Sequence, residues 1–302
     1  MFNWHWHIEW QTPYEFHGHG IENVIISYVS KYQKILIANL ARFGKTLIID
    51  GKIQSTVSDE FIYHETLVHP LLISLEYPQR VLILGGGEGA TLREVLKHKS
   101  VKEVVMVDID ESVVEFAKRY LEEWHKGAFN DPRAKIVIAD GYEYVKNSNE
   151  RFDAVILDLT DPQKNSPSVK LYTKEFYVML KKILNPKGGI VTQATSPSFS
   201  LEVFSVIYNT LKQVFRFVSP AITYVPSFDG LWGFINASDS TNVSSLTAED
   251  VNKRIHDRIV GNLLFYDGTT HLSLFNIPKY IRKVLDEEKR ISTESSPIYT
   301  PA

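Results

Sequence analysis

Four apolar runs in the middle of the chain each end at glycines or at a carboxylate. RVLIL runs into GGGEGATLRE (85–94), EVVMVD ends at Asp108, KIVIAD ends at Asp140 beside Gly141, and FDAVILDL leads into DLTDP with Asp158 and Asp161. A glycine turn that opens a helix presents bare N–H groups and the positive end of the helix dipole, which suits a phosphate or carboxylate. Glu88 stands in the middle of this one. Read plainly, it is an acid in a first helical turn, stabilising by about 0.3–1 kcal/mol. Read chemically, it selects a cationic ligand.

Gly85, Gly87 and Ala90 fit the loose G-x-G-x-x-A pattern, and Asp108 follows where a ribose hydroxyl is held in nucleotide-binding sheets. Taken alone, that pattern also fits a tight turn with an acid near a helix start, or an NAD enzyme. Asp140 after the third run suits an adenine amino group and a single-nucleoside site, as in enzymes that use S-adenosylmethionine. An unpaired Glu88 would repel the carboxylate of S-adenosylmethionine. It would attract the ammonium left when that carboxylate is absent, as in decarboxylated S-adenosylmethionine. Asp158 and Asp161 extend the acidic slot toward a polyamine. A primary amine titrates near 10.4, so freeing its lone pair at neutral pH costs roughly 4 kcal/mol. A carboxylate at the attacking nitrogen can take that proton. Carboxylates also raise amine pKa values, so the neighbouring sulfonium and burial must oppose them.

These residues need a frame. Continuously apolar strands separated by helices (ATLREVLKH, ESVVEFAKRYLEEW, KEFYVMLKKIL) belong to a parallel sheet covered on both faces, with ligands beyond the strand ends. The fold class is α/β, a small N-terminal β-domain followed by a Rossmann-like, methyltransferase-type doubly wound sheet. FVSPAITYVPSF and LWGFINAS read as a hairpin that adds an antiparallel edge. NVIISYVSKYQKILIANL and KTLIIDGKIQSTV read as strands, with Asp50-Gly51 as a tight turn. SDEFIYHETLVHPLLISLE turns helical, with Ser58 or Asp59 as N-cap and Ile62, Leu67 and Leu71 on one face. The expected division is 1–75 for the β-domain with a linking helix, 76–240 for the catalytic domain and 241–302 for a helical appendage with a polar tail.

The chain has 302 residues, a formal net charge of −3 and no cysteine. The charge and the lack of basic clusters argue against nucleic acid. The missing cysteines exclude disulfides, thiolate metal sites and a cysteine nucleophile. No signal peptide or membrane-length apolar run is visible, so a cytoplasmic enzyme is expected, with no membrane partner. HWHIEW brings His5 and His7 close in sequence, but no third metal ligand is in view, and HGHG (17–20) reads the same way; no metal is expected. PQKNSPSVK (162–170) directly follows the acidic pair and is a candidate lid or a plain surface loop, with the lid extending at most to residue 176. The β-rich N-terminus suggests a homodimer or homotetramer.

LIIDGKIQ, DEFIYHE, LILGGGEGATLREVLKH, VMVDID, DLTDP and LYTKEFY, with YQ at 32–33, resemble the polyamine aminopropyltransferases of the spermidine synthase family. The resemblance covers nearly the whole chain. It implies aminopropyl transfer from decarboxylated S-adenosylmethionine to a polyamine (putrescine, agmatine or a triamine such as spermidine), with release of methylthioadenosine. The sulfonium donor is then a co-substrate, and no cofactor is permanently bound. It implies that Gln33 and Asp108 hold the ribose and its surroundings, that Asp140 and Gly141 hold the adenine, and that Glu88 faces the aminopropyl ammonium. Asp158 becomes the catalytic acid/base. Tyr63, His64 and Asp161 line the acceptor side with Gln54 close by, although Tyr63 and His64 alone would read as a packed helix face. Glu88 and Asp108 stand where the family usually has aspartate and glutamate. VPSFDGLWGF, with Trp232, replaces the usual PTY element and is similar to the thermospermine synthase branch, as is RIHDRIVGNLLFY. A small-molecule methyltransferase and a non-catalytic polyamine or nucleoside sensor are the alternatives. Glu88 opposes the first, and the Asp158/Asp161 pair the second.

Overall fold

The computed structural model describes residues 5–301. Residues 1–4, at the start of the expected β-domain, and Ala302 lie outside the described residues. Five strands come first: β1 (His5–Thr12), β2 (Glu15–Val29), β3 (Lys34–Leu40), β4 (Gly44–Ile49) and β5 (Lys52–Thr56). They pair in chain order, each antiparallel to the last. Asp50 and Gly51 join β4 to β5 at φ 49° and 82°, the positive-φ pair that such a two-residue turn requires. Strand β1 has two unlike faces. Trp6, Ile8 and Trp10 are exposed, whereas Glu9 between them is buried. Period-two alternation sets this division.

Helix α1 (Glu60–Ser74) follows. Leu67 and Leu71 are fully buried, but so are Thr66, Val68 and His69, and only Ile62 among the expected stripe is half-buried. The expected single apolar face is therefore wrong. α1 is a central helix enclosed on all sides, packed on α2 (Ala90–Leu96) and on the large sheet. Its N-cap is Asp59, yet the Asp59 carboxylate bonds Thr56 and Ser227 and caps no helical N–H.

The large sheet holds β6 (Arg80–Gly85), β7 (Glu103–Asp108), β8 (Ala134–Ile138), β9 (Phe152–Asp158), β10 (Leu184–Gln193), β11 (Phe217–Val225) and β12 (Gly230–Ser238). Its order is β11-β12-β10-β9-β6-β7-β8, parallel from β8 to β10, with β12 antiparallel to both β10 and β11. This is a Rossmann-like sheet with an antiparallel edge. Val81 to Leu84 and Val155 to Leu157 are fully buried, as the apolar runs require. α3 (Glu111–Tyr120), α4 (Glu122–His125), α5 (Gly141–Asn147), α6 (Lys174–Ile183) and α7 (Leu201–Lys212) lie between strands. β6 has β7 on one side and β9 on the other. The chain reverses its winding there, which opens a crevice beyond the strand ends.

α8 (Ala248–Arg258) packs on α1, α9 (Gly268–Phe275) on β11 and α10 (Lys279–Glu287) on α7. The polar tail then runs back past the start of α6 to the loop after β9. Lys174 N–H donates to Ser292 O (2.9 Å), and Thr300 N–H donates to Pro162 O (3.0 Å).

Candidate active site

The crevice opens into a cavity of about 210 Å³, many times the roughly 10–15 Å³ that one water needs. Two strand ends build its floor. Gly85 on β6 faces Asp158 on β9, and Gly86 N–H donates to Asp158 O at 3.0 Å. Gly85 has φ 80°, and a Cβ there would stand 2.1 Å from Asp158 O. Only glycine lets the two strand ends approach this closely. Gly89, at φ 85°, turns the chain into α2.

Asp158 is fixed by two donors from different helices. Tyr63 Oη–H reaches its Oδ1 at 2.9 Å from α1, and Thr91 Oγ1–H reaches Oδ2 at 2.6 Å from α2. Burial pushes the Asp158 carboxyl above the usual carboxylate range, against the opposing pull of charged His64. A carboxylate so raised is a better proton acceptor than one in water. Asp161 lies three residues on and also borders the cavity. Gln193 Nε2 donates to its Oδ1 (3.1 Å), and burial lifts its pKa to about 6.

Asp108 ends β7 under the glycine turn. Its Oδ1 accepts from Asp110 N–H at 2.9 Å, its carboxylate also takes the Gly87 N–H, and burial raises it to about 6. A Cβ on Gly87 would sit 2.6 Å from Asp108 Oδ2, so this glycine admits the acid. Gln33 borders the cavity and donates to Asp110 (3.1 Å). Asp140 and Gly141 form its far edge; the exposed Asp140 carboxylate caps α5 through Tyr142 and Glu143 N–H. Gln54 and Trp232 also border it.

Two expectations need correction. Glu88 is not unpaired: its Oε1 lies 2.8 Å from His64 Nε2, and its Oε2 accepts from Ser55 Oγ–H at 3.0 Å. His64 does not border the cavity. It is 1% exposed and stands behind Glu88, with its Nδ1 2.8 Å from Glu60 Oε2. Burial disfavours its charge, but the bonds to Glu60 and Glu88 prevail and lift its pKa to about 10. The acceptor-side place of His64 is what the resemblance of DEFIYHE implies; its spacing alone reads as a packed helix face, and His64 stands in one.

Other cavity residues escaped the sequence reading. Glu9 and Gln11 reach in from the inner face of β1, and Lys52 from the start of β5. Ile53 N–H donates to Glu9 Oε2 (3.3 Å), Lys52 Nζ donates to Trp10 O, and burial lifts Glu9 to about 7. The alternation of HWHIEWQT was the available signal, but it does not say which face turns inward. Gln163, Ser166 and Ser168 of the expected lid border the cavity, as does Thr300 from the tail. Among the described residues no group of three or more His, Cys, Asp or Glu could hold a metal ion.

Residues 60–247 match the spermine/spermidine synthase domain, and residues 5–56 match the spermidine synthase tetramerisation domain. The chain belongs to the spermine/spermidine synthase family. It is 64% identical over its full length to a polyamine aminopropyltransferase from Sulfurisphaera tokodaii, and 62% to one from Sulfolobus acidocaldarius, each covered completely. A solved spermidine synthase in complex with the transition-state analogue AdoDATO superposes with a TM-score of 0.88 at 32% identity, over 94% of this chain and 96% of that one. Spermidine synthase from Thermotoga maritima superposes at 0.85 and 31%, over 94% and 95%. The family is one of transferases, and its N-terminal domain is an oligomerising one.

Proposed function

We propose that the protein is a polyamine aminopropyltransferase that moves the aminopropyl group of decarboxylated S-adenosylmethionine to a polyamine nitrogen and releases methylthioadenosine. The observation that carries this reading is Asp158. Its carboxylate is aimed by Tyr63 and Thr91 at the crevice beside the glycine turn. The amine nitrogen loses a proton to Asp158 and attacks the methylene next to the sulfonium. The carbon–sulfur bond breaks, and its electron pair stays on sulfur as neutral methylthioadenosine.

We assign the remaining roles from the family resemblance, and the cavity lining supports them. Gln33 and Asp108 bind the ribose side, Asp140 and Gly141 the adenine, and Gly85 and Gly87 keep the floor open. Glu88 meets the aminopropyl ammonium. Tyr63, Gln54, Asp161 and Trp232 face the acceptor. Residues 162–176 close over the site. The division into 1–75, 76–240 and 241–302 separates association, chemistry and flank. The exposed apolar face of β1 is where copies meet, and the matched tetramerisation domain favours a homotetramer over a dimer. No helix among the described residues is long and apolar enough to cross a membrane. With small charged substrates, a cytoplasmic location fits best.

Incubation with decarboxylated S-adenosylmethionine and putrescine, agmatine, spermidine or norspermidine should yield methylthioadenosine with at least one amine. Turnover of intact S-adenosylmethionine to S-adenosylhomocysteine would replace this reading with a methyltransferase, and binding without either product would make the protein a sensor. Light scattering should give a particle four times the 34.6 kDa chain.

A further inference from the structure

We propose that Glu60 and Arg93 are positioning residues for the sulfonium donor: through His64 they hold the Glu88 carboxylate at the glycine turn, where it meets the aminopropyl ammonium. The inference rests on the aminopropyl-transfer reading above. It gives a task to two motif residues, the glutamate of DEF and the arginine of TLRE, that the chemistry itself does not use.

The contacts form one buried file of alternating charge. Glu88 Oε1 meets His64 Nε2 at 2.8 Å, and His64 Nδ1 meets Glu60 Oε2 at 2.8 Å. Arg93 grips both Glu60 oxygens, at 3.0 and 2.9 Å, and passes its Nε–H to Glu94 Oε1 at 2.7 Å. Glu94 Oε2 meets Lys97 Nζ (2.7 Å) and His69 Nε2 (3.0 Å). Glu60, His64, Glu88, Arg93 and Glu94 are each at most 8% exposed. A buried ion is tolerated only with its partner in place. Every member therefore fixes the next, and Glu88 alone of the file borders the cavity. The forked Arg93–Glu60 contact is the rigid point, because a bidentate guanidinium–carboxylate pair has one geometry.

His64 is enclosed by groups that favour its charge. Glu60 faces it from its own helix, Glu88 from the glycine turn and Asp158 from the end of β9; the Tyr63 ring is 5.0 Å away, and Arg93 reaches it only through Glu60. Both ring nitrogens have carboxylate partners, so the ring donates from both, as only the imidazolium can. Glu60→Gln removes one of the two anions bonded to the ring. His64 then gives up its proton at a lower pH, and Glu88 loses its buried counter-charge.

The test is donor KM against pH, with kcat at saturating donor and the Kd of methylthioadenosine, which shares the nucleoside but has no ammonium. Wild type should be level from about pH 7 to 9, whereas in Glu60→Gln donor KM should climb about tenfold over that range, the low end for a charged hydrogen bond. The methylthioadenosine Kd and kcat should stay within about threefold, and Glu60→Asp should restore the level profile. A level KM in Glu60→Gln, or a methylthioadenosine Kd that rises in step with it, overturns the assignment. Where that variant does not fold, ¹⁵N-histidine spectra of the unaltered protein decide, with His64→Gln to assign the signal. Two protonated ring nitrogens on His64 at about pH 8.5 support the file, and one refutes it. Absence of methylthioadenosine in the wild-type assay is a separate result, which would remove the transfer reading itself.

Discussion

Tyr63 donates its phenolic hydrogen to Asp158 Oδ1 at 2.9 Å, and this one bond ties helix α1 to the end of strand β9. It orients the oxygen without neutralising it, since burial and the nearby carboxylates hold the Tyr63 hydroxyl far above its ordinary pKa. Asp158→Asn keeps the shape and both neighbours but cannot take a proton. Its turnover should fall by roughly 10²–10⁴, the usual size of a lost general base, with methylthioadenosine binding intact. Tyr63→Phe should cost less, about 10-fold or more, as one hydrogen bond to a charged group. Steady-state rates at saturating substrates check both, and near-normal turnover of Asp158→Asn would exonerate it.

Asp108 should report on the nucleoside alone. It sits under Gly87 at the end of β7, and Asp161 follows β9, on the other side of β6. Asp108→Ala should weaken donor and methylthioadenosine alike by about 10- to 150-fold, while acceptor KM stays put. Calorimetric titration with methylthioadenosine measures it, and a change confined to the acceptor would reassign the residue.

Lys52 places a fixed ammonium in an otherwise acidic cavity. Its charge acts on Glu9 and on Asp161. A polyamine must therefore compete with a cation already present. At an effective dielectric near 20 and a separation of ~7 Å, that repulsion is about 2 kcal/mol. Lys52→Gln should raise the kcat/KM ratio of triamine over diamine by about thirtyfold, and Lys52→Arg should leave it unchanged. An equal ratio in wild type and Lys52→Gln would strike Lys52 from acceptor choice.

The pH response should differ at the two ends. Asp108 and Asp161 are lifted to about 6 by burial, so they take up protons as pH falls through that value, and KM for both substrates should rise below it. His64 has the opposite linkage. Its pKa rises from 6.5 to about 10 on folding, so its stabilisation is complete below about pH 6.5 and is lost as pH climbs through 10. Melting temperature should decline across that alkaline window in wild type and less in His64→Gln. Parallel declines would mean that His64 is neutral in the fold.

Much of this was legible in the chain because strand ends advertise themselves. An apolar run that stops at Asp108, Asp158 or a glycine turn says both that the strand is buried and where its ligand end lies. Asp140, Gly141 and Asp161 are legible in the same way, Trp232 only through the family resemblance of VPSFDGLWGF, and each borders the cavity. His64 is legible only as part of a packed helix face, and its charged partners are not. A buried helix has no outer face for periodicity to reveal, and the partners of His64 stand four residues before it and twenty-four after. Glu9 and Lys52 were missed for a related reason. They belong to strands of the small sheet, and no local pattern encodes how that sheet packs on the large one.

Strand β1 turns Glu9 and Gln11 toward the cavity and Trp6, Ile8 and Trp10 away from it. Where copies associate through that outer face, one thin ribbon is at once a wall of the reaction chamber and a seam between subunits. Dilution then becomes a chemical variable. A separated subunit would keep its nucleoside pocket, which belongs to the large sheet, but its amine side would rest on an unsupported edge. Specific activity should therefore fall on dilution through a rising acceptor KM, while donor binding stays constant.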